Sequence, residues 1–291
     1  MYMESLRIAP YDAPLGARIE GIDVSLPVED SAFRQVEAAL HSYGVVVIPN
    51  QEIDDTAQKA FSQLFGRELD IHPLREFAKP DNPEVFVLSN IVENGRPIGA
   101  SDAAQYWHTD LSYTEYPSRV SLLYARQVPR DPNGEALGDT EFAAADKAYQ
   151  ALDEPTRKRI EGLWAFHDAR KAKKSKSSHF SKPLSSDVEK RLEQVRHPVV
   201  RTHPYTRARC LYVNEGFTTH IDGLSQEESD DLLDHLFRHM TQPEFVYRHK
   251  WNVGDLVIWD NCLTIHQGIP NYGPHQPRLM HRTIVKGSRP F

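Results

Sequence analysis

Short runs of β-branched and large apolar residues recur along the chain: VVVIP at 45–49, VFVLSNI at 85–91, RVSLLYARQVP at 119–129 and HRTIVKG at 281–287. Proline, glycine, asparagine or polar residues bound them, so each is the length of a strand and too short for a buried helix. Further strands are expected over 16–26 and 207–214, and FVYRHKWNVGDLVIWDN at 245–261 reads as two strands joined at a turn over 252–254. Helical periodicity appears at 31–44, where Ser31 is the expected N-cap and Gly44 the stop, and at 56–66, ending on Gly66. It returns at 144–152, 154–166 and 225–242, the last opening on a capping box from Ser225 to Glu228. Strands do not alternate regularly with helices, which argues against a parallel βα fold. The pattern predicts a mainly β chain, an antiparallel sandwich or jelly roll with helices packed outside it.

Composition narrows the function classes. The 291 residues allow one large domain or two small ones, and 40% hydrophobic with 26% charged residues fits a chain with a real core. A net charge of −7 disfavours nucleic acid as partner. No apolar stretch approaches the ~20 residues of a membrane span, and MYMESLRIAPYDAPLGARIEG has no apolar core of the secretory kind. Two cysteines, Cys210 and Cys262, make a disulfide framework unexpected and a cytoplasmic setting the expectation. The basic stretch 170–182 reads as a solvated surface loop.

The chemistry-bearing stretch is QYWHTDLSY at 105–113. If it were a strand, His108 and Asp110 would project to one face and reach one metal ion. A lone HxD is a weak signal; His266, just after the apolar LVIWDN run, strengthens it. Two histidines and one carboxylate form the facial triad of non-haem iron(II) oxygenases, with positions open for a bidentate co-substrate and dioxygen. Zinc accepts the same donors, so a zinc hydrolase and a non-catalytic metal-binding jelly-roll sensor stay open at this point. Arg278 and Arg282 follow His266 closely, and an even offset in a strand would aim both guanidinium groups at one cavity. Two cations there suit two anions.

HTD at 108–110, GDT at 138–140, WDN at 259–261, His266 and RxxxR at 278–282 together resemble the TauD/TfdA family of Fe(II)- and 2-oxoglutarate-dependent dioxygenases. HPVVRTHP at 197–204 and YVNEGFTTHI at 212–221 also look like family sequence, and the likeness runs nearly the whole chain. The resemblance implies a single domain over 1–291 with a double-stranded β-helix core, a cupin-like jelly roll with flanking helices and insertions. It implies that His108, Asp110 and His266 bind Fe(II), that Thr140 and Arg278 hold 2-oxoglutarate, and that Arg282, His72 and Phe217 face the primary substrate. The expected partners are O2, 2-oxoglutarate and a small anionic substrate: an alkylsulfonate, a sulfate ester, or a carboxylic or aryloxy acid. A homo-oligomer, dimer or tetramer, is also implied. The sequence departs from the taurine enzymes at Ala103, Ala104 and Arg75, where those carry Asp, Asn and Tyr, and the loop before Thr140 is longer. Arg75 is therefore a further candidate substrate contact, and taurine itself is not singled out.

Overall fold

In the computed structural model, residues 6–73, 75–101, 104–172 and 193–291 are described. The VVVI run pairs with Leu256–Asp260, which pairs with Ser118–Gln127, then Leu279–Lys286 and Asn82–Ser89. Arg7–Pro10 and Ala17–Glu20 extend this sheet on one side, Ala78–Lys79 on the other, giving eight strands. All of its pairings are antiparallel except Ala17–Glu20 with Val45–Ile48. A second sheet faces it, with Thr140–Ala144 flanked by Val246–His249 and Thr264–Gly268.

Burial explains why the central strands read as continuous apolar runs. Val45, Val47, Leu123, Ala125, Val257 and Trp259 face the core between the sheets, where they meet Phe142, Ala144 and Trp251. Their neighbours Val46, Ile48, Leu122, Tyr124, Leu256 and Ile258 face outward, under the helices Asp30–Tyr43 and Asp55–Phe65. A strand covered on both faces has no solvent side on which polar residues could alternate. The smaller sheet is treated alike: Ala143 and Ile265 turn away from the inner core toward Leu232, Leu233, Leu236 and Met240 of the helix Gln226–Met240.

The helix signals hold with small shifts. Gly44 ends the first helix in the left-handed region, with φ 70°, and donates its N–H to Leu40. A Cβ there would lie 2.8 Å from Leu15, so glycine is required on both counts. The residue before this helix is Glu29, not Ser31. Asp54 caps the second helix through the Ala57 N–H, and the Ser225–Glu228 capping box is present.

Three expectations need correction. The helix expected over 154–166 stops at Ile160; the chain turns through Gly162, with φ 74°, and Trp164–His167 is a strand between Val195–Pro198 and Thr218–Ile221. The two strands within 245–261 are present and joined at a turn, as expected, though Val246–His249 joins the small sheet and Leu256–Asp260 the large one. Within 16–26 only Ala17–Glu20 is strand, and within 207–214 only Arg209–Leu211. The stretch 105–113 is not a strand. Cys210 and Cys262 are buried and free, as expected. No described helix is long and apolar enough to cross a membrane. Position 103 and the basic stretch from 173 onward lie outside the described residues.

Leu122 is fully buried in the outer layer. Leu122→Ala should cost ~2–5 kcal/mol through lost transfer energy and the cavity left behind. Urea denaturation would read this as a lowered midpoint at constant slope; an unchanged midpoint would mean the outer layer is not part of the cooperative core.

Candidate metal and co-substrate site

The HxD segment reaches its place by one pair of backbone bonds. His108 N–H donates to the His266 carbonyl at 3.0 Å, and His266 N–H donates back to the His108 carbonyl at 2.9 Å. A loop is thereby fastened to the strand Thr264–Gly268 at the two histidines themselves, and their rings lie 4.1 Å apart. The tight turn after Asp110 places Leu111 at φ 53°. His108 and Asp110 do converge, but through this clamp and turn and not through the alternation of a strand.

The donor atoms of His108, Asp110 and His266 lie within 4.8 Å of one another, all from buried residues. Asp110 Oδ1 is 3.8 Å from His108 Nε2, and Asp110 Oδ2 is 3.8 Å from His266 Nε2. Ligand bonds of ~2.1 Å put neighbouring donors on one ion roughly 3–3.5 Å apart, so a small closure suffices. His108 Nδ1 faces the Tyr106 carbonyl at 3.0 Å. A carbonyl can only accept, so Nδ1 carries the proton and Nε2 presents its lone pair. Burial pushes both imidazoles below the ordinary histidine range, leaving them neutral, as metal ligands must be. Burial pushes the Asp110 carboxyl up, but the Arg282 guanidinium and the neighbouring groups outweigh it and hold the carboxyl well below the usual range. Two neutral imidazoles and one carboxylate, their donor atoms within 4.8 Å of one another, fit a divalent cation.

Neutral residues around the triad fix the carboxylate. Ser121 donates its hydroxyl to Asp110 Oδ2 at 2.7 Å. Asn261 donates to Ser121 Oγ and accepts from the Asp110 N–H and from Trp259 Nε1. Arg282 Nη1 donates to Asp110 Oδ1 at 2.8 Å. Sequence reading expected Arg282 to serve the substrate; its position also ties it to the carboxylate ligand. Ser121 and Asn261 were missed. The available signal was a serine inside an apolar strand and the asparagine of the WDN motif.

Next to the triad opens a cavity lined by His108, Thr140, Trp259, His266, Arg278 and Arg282, among others. Arg278 is 7% exposed, its Nε has no partner, and no described carboxylate pairs with it. Burial lowers its pKa, which marks a cation short of counter-charge. Backbone bonds hold it: its N–H donates to Asn90 Oδ1, and its carbonyl accepts from Ser89 Oγ. Thr140 Oγ1 accepts from Trp251 Nε1 at 3.0 Å, which leaves its own O–H to donate. Gly138, at φ 77°, has room for no side chain: a Cβ would stand 3.1 Å from both Arg278 Nε and the Tyr272 ring. A buried fork of N–H donors beside a hydroxyl is the arrangement that receives a carboxylate.

A second cavity adjoins the first across His108, Leu88, Ala104 and Arg282. Its walls are rings: His72, Phe86, Tyr106, Tyr113 and Phe217, with Asp110 and Arg282 at one end. His72 and Phe217 are thus brought to the site. Arg75 is not; it is exposed on the short turn Arg75–Phe77 and lines neither cavity. Trp259 packs against His266, as expected of a buried aromatic, and Trp107 packs under the helix Gln226–Met240.

The sequence model described as "Taurine catabolism dioxygenase TauD, TfdA family" matches residues 7–284. The chain is 33% identical over 272 residues to the alpha-ketoglutarate-dependent 2,4-dichlorophenoxyacetate dioxygenase of Cupriavidus pinatubonensis, covering 89% of this chain and 90% of that protein. It is 31% identical over 299 residues to the alpha-ketoglutarate-dependent sulfate ester dioxygenase of Pseudomonas putida, covering 98% and 91%. The crystal structure of AAD-2 in complex with Mn(II) and N-oxalylglycine superposes with a TM-score of 0.80 at 33% identity, covering 99% of each chain. The two facing sheets are therefore the jelly roll of these enzymes.

Ser121→Ala removes one of the bonds that orient Asp110, the candidate carboxylate ligand. It should weaken Mn(II) binding to the metal-free protein roughly tenfold to hundredfold, as loss of such supporting bonds generally does. Calorimetric titration would read it, and an unchanged Kd in the folded variant would mean Ser121 does not orient Asp110.

Proposed function

The chain belongs to the TauD/TfdA family of dioxygenases that use Fe(II) and 2-oxoglutarate, and from that premise we propose that it hydroxylates a small anionic substrate while 2-oxoglutarate is decarboxylated to succinate and CO2. The observation that carries the proposal is the buried Arg278, with no carboxylate partner among the described residues, beside three convergent donors, His108, Asp110 and His266. A ferrous ion held by that triad supplies the oxygen-activating chemistry. A zinc hydrolase or a non-catalytic sensor on the same scaffold would have no use for a buried cation aimed at a second anion.

The protein's own part is positional. Arg278 and the Thr140 hydroxyl receive the distal carboxylate of 2-oxoglutarate, which fixes the length of the molecule against the triad. Ser121 and Arg282 hold Asp110 in one rotamer, so the open side of the triad keeps a constant direction. The rings of Phe86, Tyr106, Tyr113 and Phe217 exclude water and present the target carbon from the other cavity. Arg282 lies where the two cavities meet. With one nitrogen on Asp110 and a buried, unpartnered Nε, it has donors left for an anionic substrate group. The aromatic walls favour a substrate with an apolar body behind its anion. The relatives named above act on an aryloxy acid and on sulfate esters, and both classes meet that description.

Succinate formation with Fe(II) across a panel of sulfonates, sulfate esters and aryloxy acids tests the reading directly. Substrate-stimulated succinate that is abolished by a chelator is expected; its absence across the panel would favour the sensor. Arg278→Ala should raise the KM for 2-oxoglutarate by on the order of tenfold to a hundredfold, since a charge-assisted contact is worth ~1.5–3 kcal/mol. Arg278→Lys should recover only part, because a point charge does not reproduce the fork. An unchanged KM in the alanine variant would place the anchor elsewhere.

A further inference from the structure

The catalytic cavities leave HPVVRTHP without a role. Its arginine, Arg201, lies on the strand Val200–Thr202, lines neither cavity, and is 1% exposed. The guanidinium rests over the Tyr212 ring at 4.6 Å, and its Nε has no hydrogen-bond partner. Among the described residues no carboxylate comes within ion-pair distance of it. Asp260, whose field it feels, is already engaged by His203 Nε2 at 2.9 Å and by the Cys262 N–H at 2.8 Å. Burial pushes the Cys262 thiol up to about 12 and raises the Tyr212 phenol too, so neither supplies negative charge. Burial works against the Arg201 charge, but the fields of the neighbouring thiols, the Tyr212 phenol and Asp260 outweigh it, so its pKa is raised on balance; what stays unmet is the hydrogen bonding of its Nε.

Arg201 opens into a cavity of about 230 Å³. Ser118, Arg119, Tyr205, Cys262 and Lys286 line it too, and no acidic residue does. Ser118 is 1% exposed and its hydroxyl has no partner. Arg119 is tied on one side to Glu37 and to the Phe65 carbonyl, yet its buried Nε is unpartnered. Lys286 stands at the rim, shared with Glu68. Three unmet donors, two at the start of the strand Ser118–Gln127 and one on Val200–Thr202, thus border one small space. An oxyanion offers acceptors for such donors. The neighbouring group His41, His203 and Asp260 brings three donor atoms together, but it is not the missing partner. His203 Nδ1 accepts from two backbone N–H groups, so its Nε2 carries a proton to Asp260 and has no lone pair for a cation.

We infer that Ser118, Arg119, Arg201 and Lys286 form a second anion site, for a small tetrahedral oxyanion of the phosphate or sulfate class. Donors converging from separate strands suit an anion with acceptors on several sides. The space is smaller than the ~300 Å³ at which drug-sized ligand pockets begin, so a compact ion fits and a nucleotide does not. The site shares no lining residue with the catalytic cavities. It does share their framework. Ser118 is on the strand that carries Ser121, ~10 Å further along, and Cys262 follows Asn261, which holds the Asp110 N–H.

The test is thermal unfolding of the whole protein at constant ionic strength, with chloride replaced stepwise by inorganic phosphate, sulfate or acetate, backed by calorimetric titration of phosphate. Phosphate and sulfate should raise Tm saturably, as ligand binding to the folded state does. The rise should persist with 2-oxoglutarate present and in Arg278→Ala. Arg201→Gln should abolish it; because that variant could fail to fold, Ser118→Ala combined with Lys286→Gln, which leaves Arg201 in place, should raise the phosphate Kd at least tenfold. A non-saturating rise would be general salt exclusion and would overturn the inference. So would an unchanged Kd in the double variant, loss of binding in Arg278→Ala, or acetate binding as tightly as phosphate.

Discussion

The reciprocal backbone pair between His108 and His266 is the contact on which the site depends. It joins a loop to the edge of the small sheet at the two residues whose side chains must meet. Backbone bonds of this kind set position without using the side chains, so both imidazoles remain available. Once the pair forms, the Tyr106 carbonyl selects the His108 tautomer, and the turn after Asp110 brings the carboxylate between the two rings. The small sheet's strand Thr264–Gly268 is itself held by Thr140–Ala144, which carries Thr140. One sheet therefore delivers His266, a candidate metal ligand, and Thr140, a candidate co-substrate contact, in fixed relation.

The large sheet supplies the cations. Arg282 is on the strand Leu279–Lys286, with Arg278 just before it, and this strand is pinned from behind. Gln58 donates to the His281 carbonyl, Ser62 pairs with the Thr283 hydroxyl, and His281 meets Asp55, all on the helix Asp55–Phe65. Alternation then turns Arg282 inward while His281 and Thr283 are held outward. The electrostatics follow from this division. Arg282 finds its counter-charge in Asp110, whereas Arg278 has none among the described residues. A buried cation with a partner is structural as well as functional; a buried cation without one is a receptor for something else.

Arg201 is likewise buried with an unpartnered Nε, beside a cavity further along the strands that carry Ser121 and Arg282. Its surroundings offer a ring face, neutral thiols and an acid already committed to a histidine. Among the described residues, Arg278 and Arg201 are two of the buried guanidinium groups whose Nε has no partner, one beside the candidate triad and one apart from it.

The strands, the jelly-roll class, the Gly44 stop and the Ser225 capping box were legible because each is a local matter of periodicity, backbone conformation or a bond a few residues long. The candidate triad and Arg278 could be nominated from order along the chain because their chemistry restricts the residue type, and the structure brings the three donors within 4.8 Å of one another. The tertiary structure alone decided that His108 and Asp110 meet through a clamped loop, that Trp164–His167 is a strand, and that the two strands around 252–254 part to different sheets. It also placed Arg75 outside the site and gave Ser121 and Asn261 their work. Serine and asparagine are common and neutral, and nothing in their own neighbourhood tells a surface residue from one that holds a metal ligand. What separates the two is a partner 11 residues away for Ser121 and 151 away for Asn261, brought to bonding distance only when the sheets close.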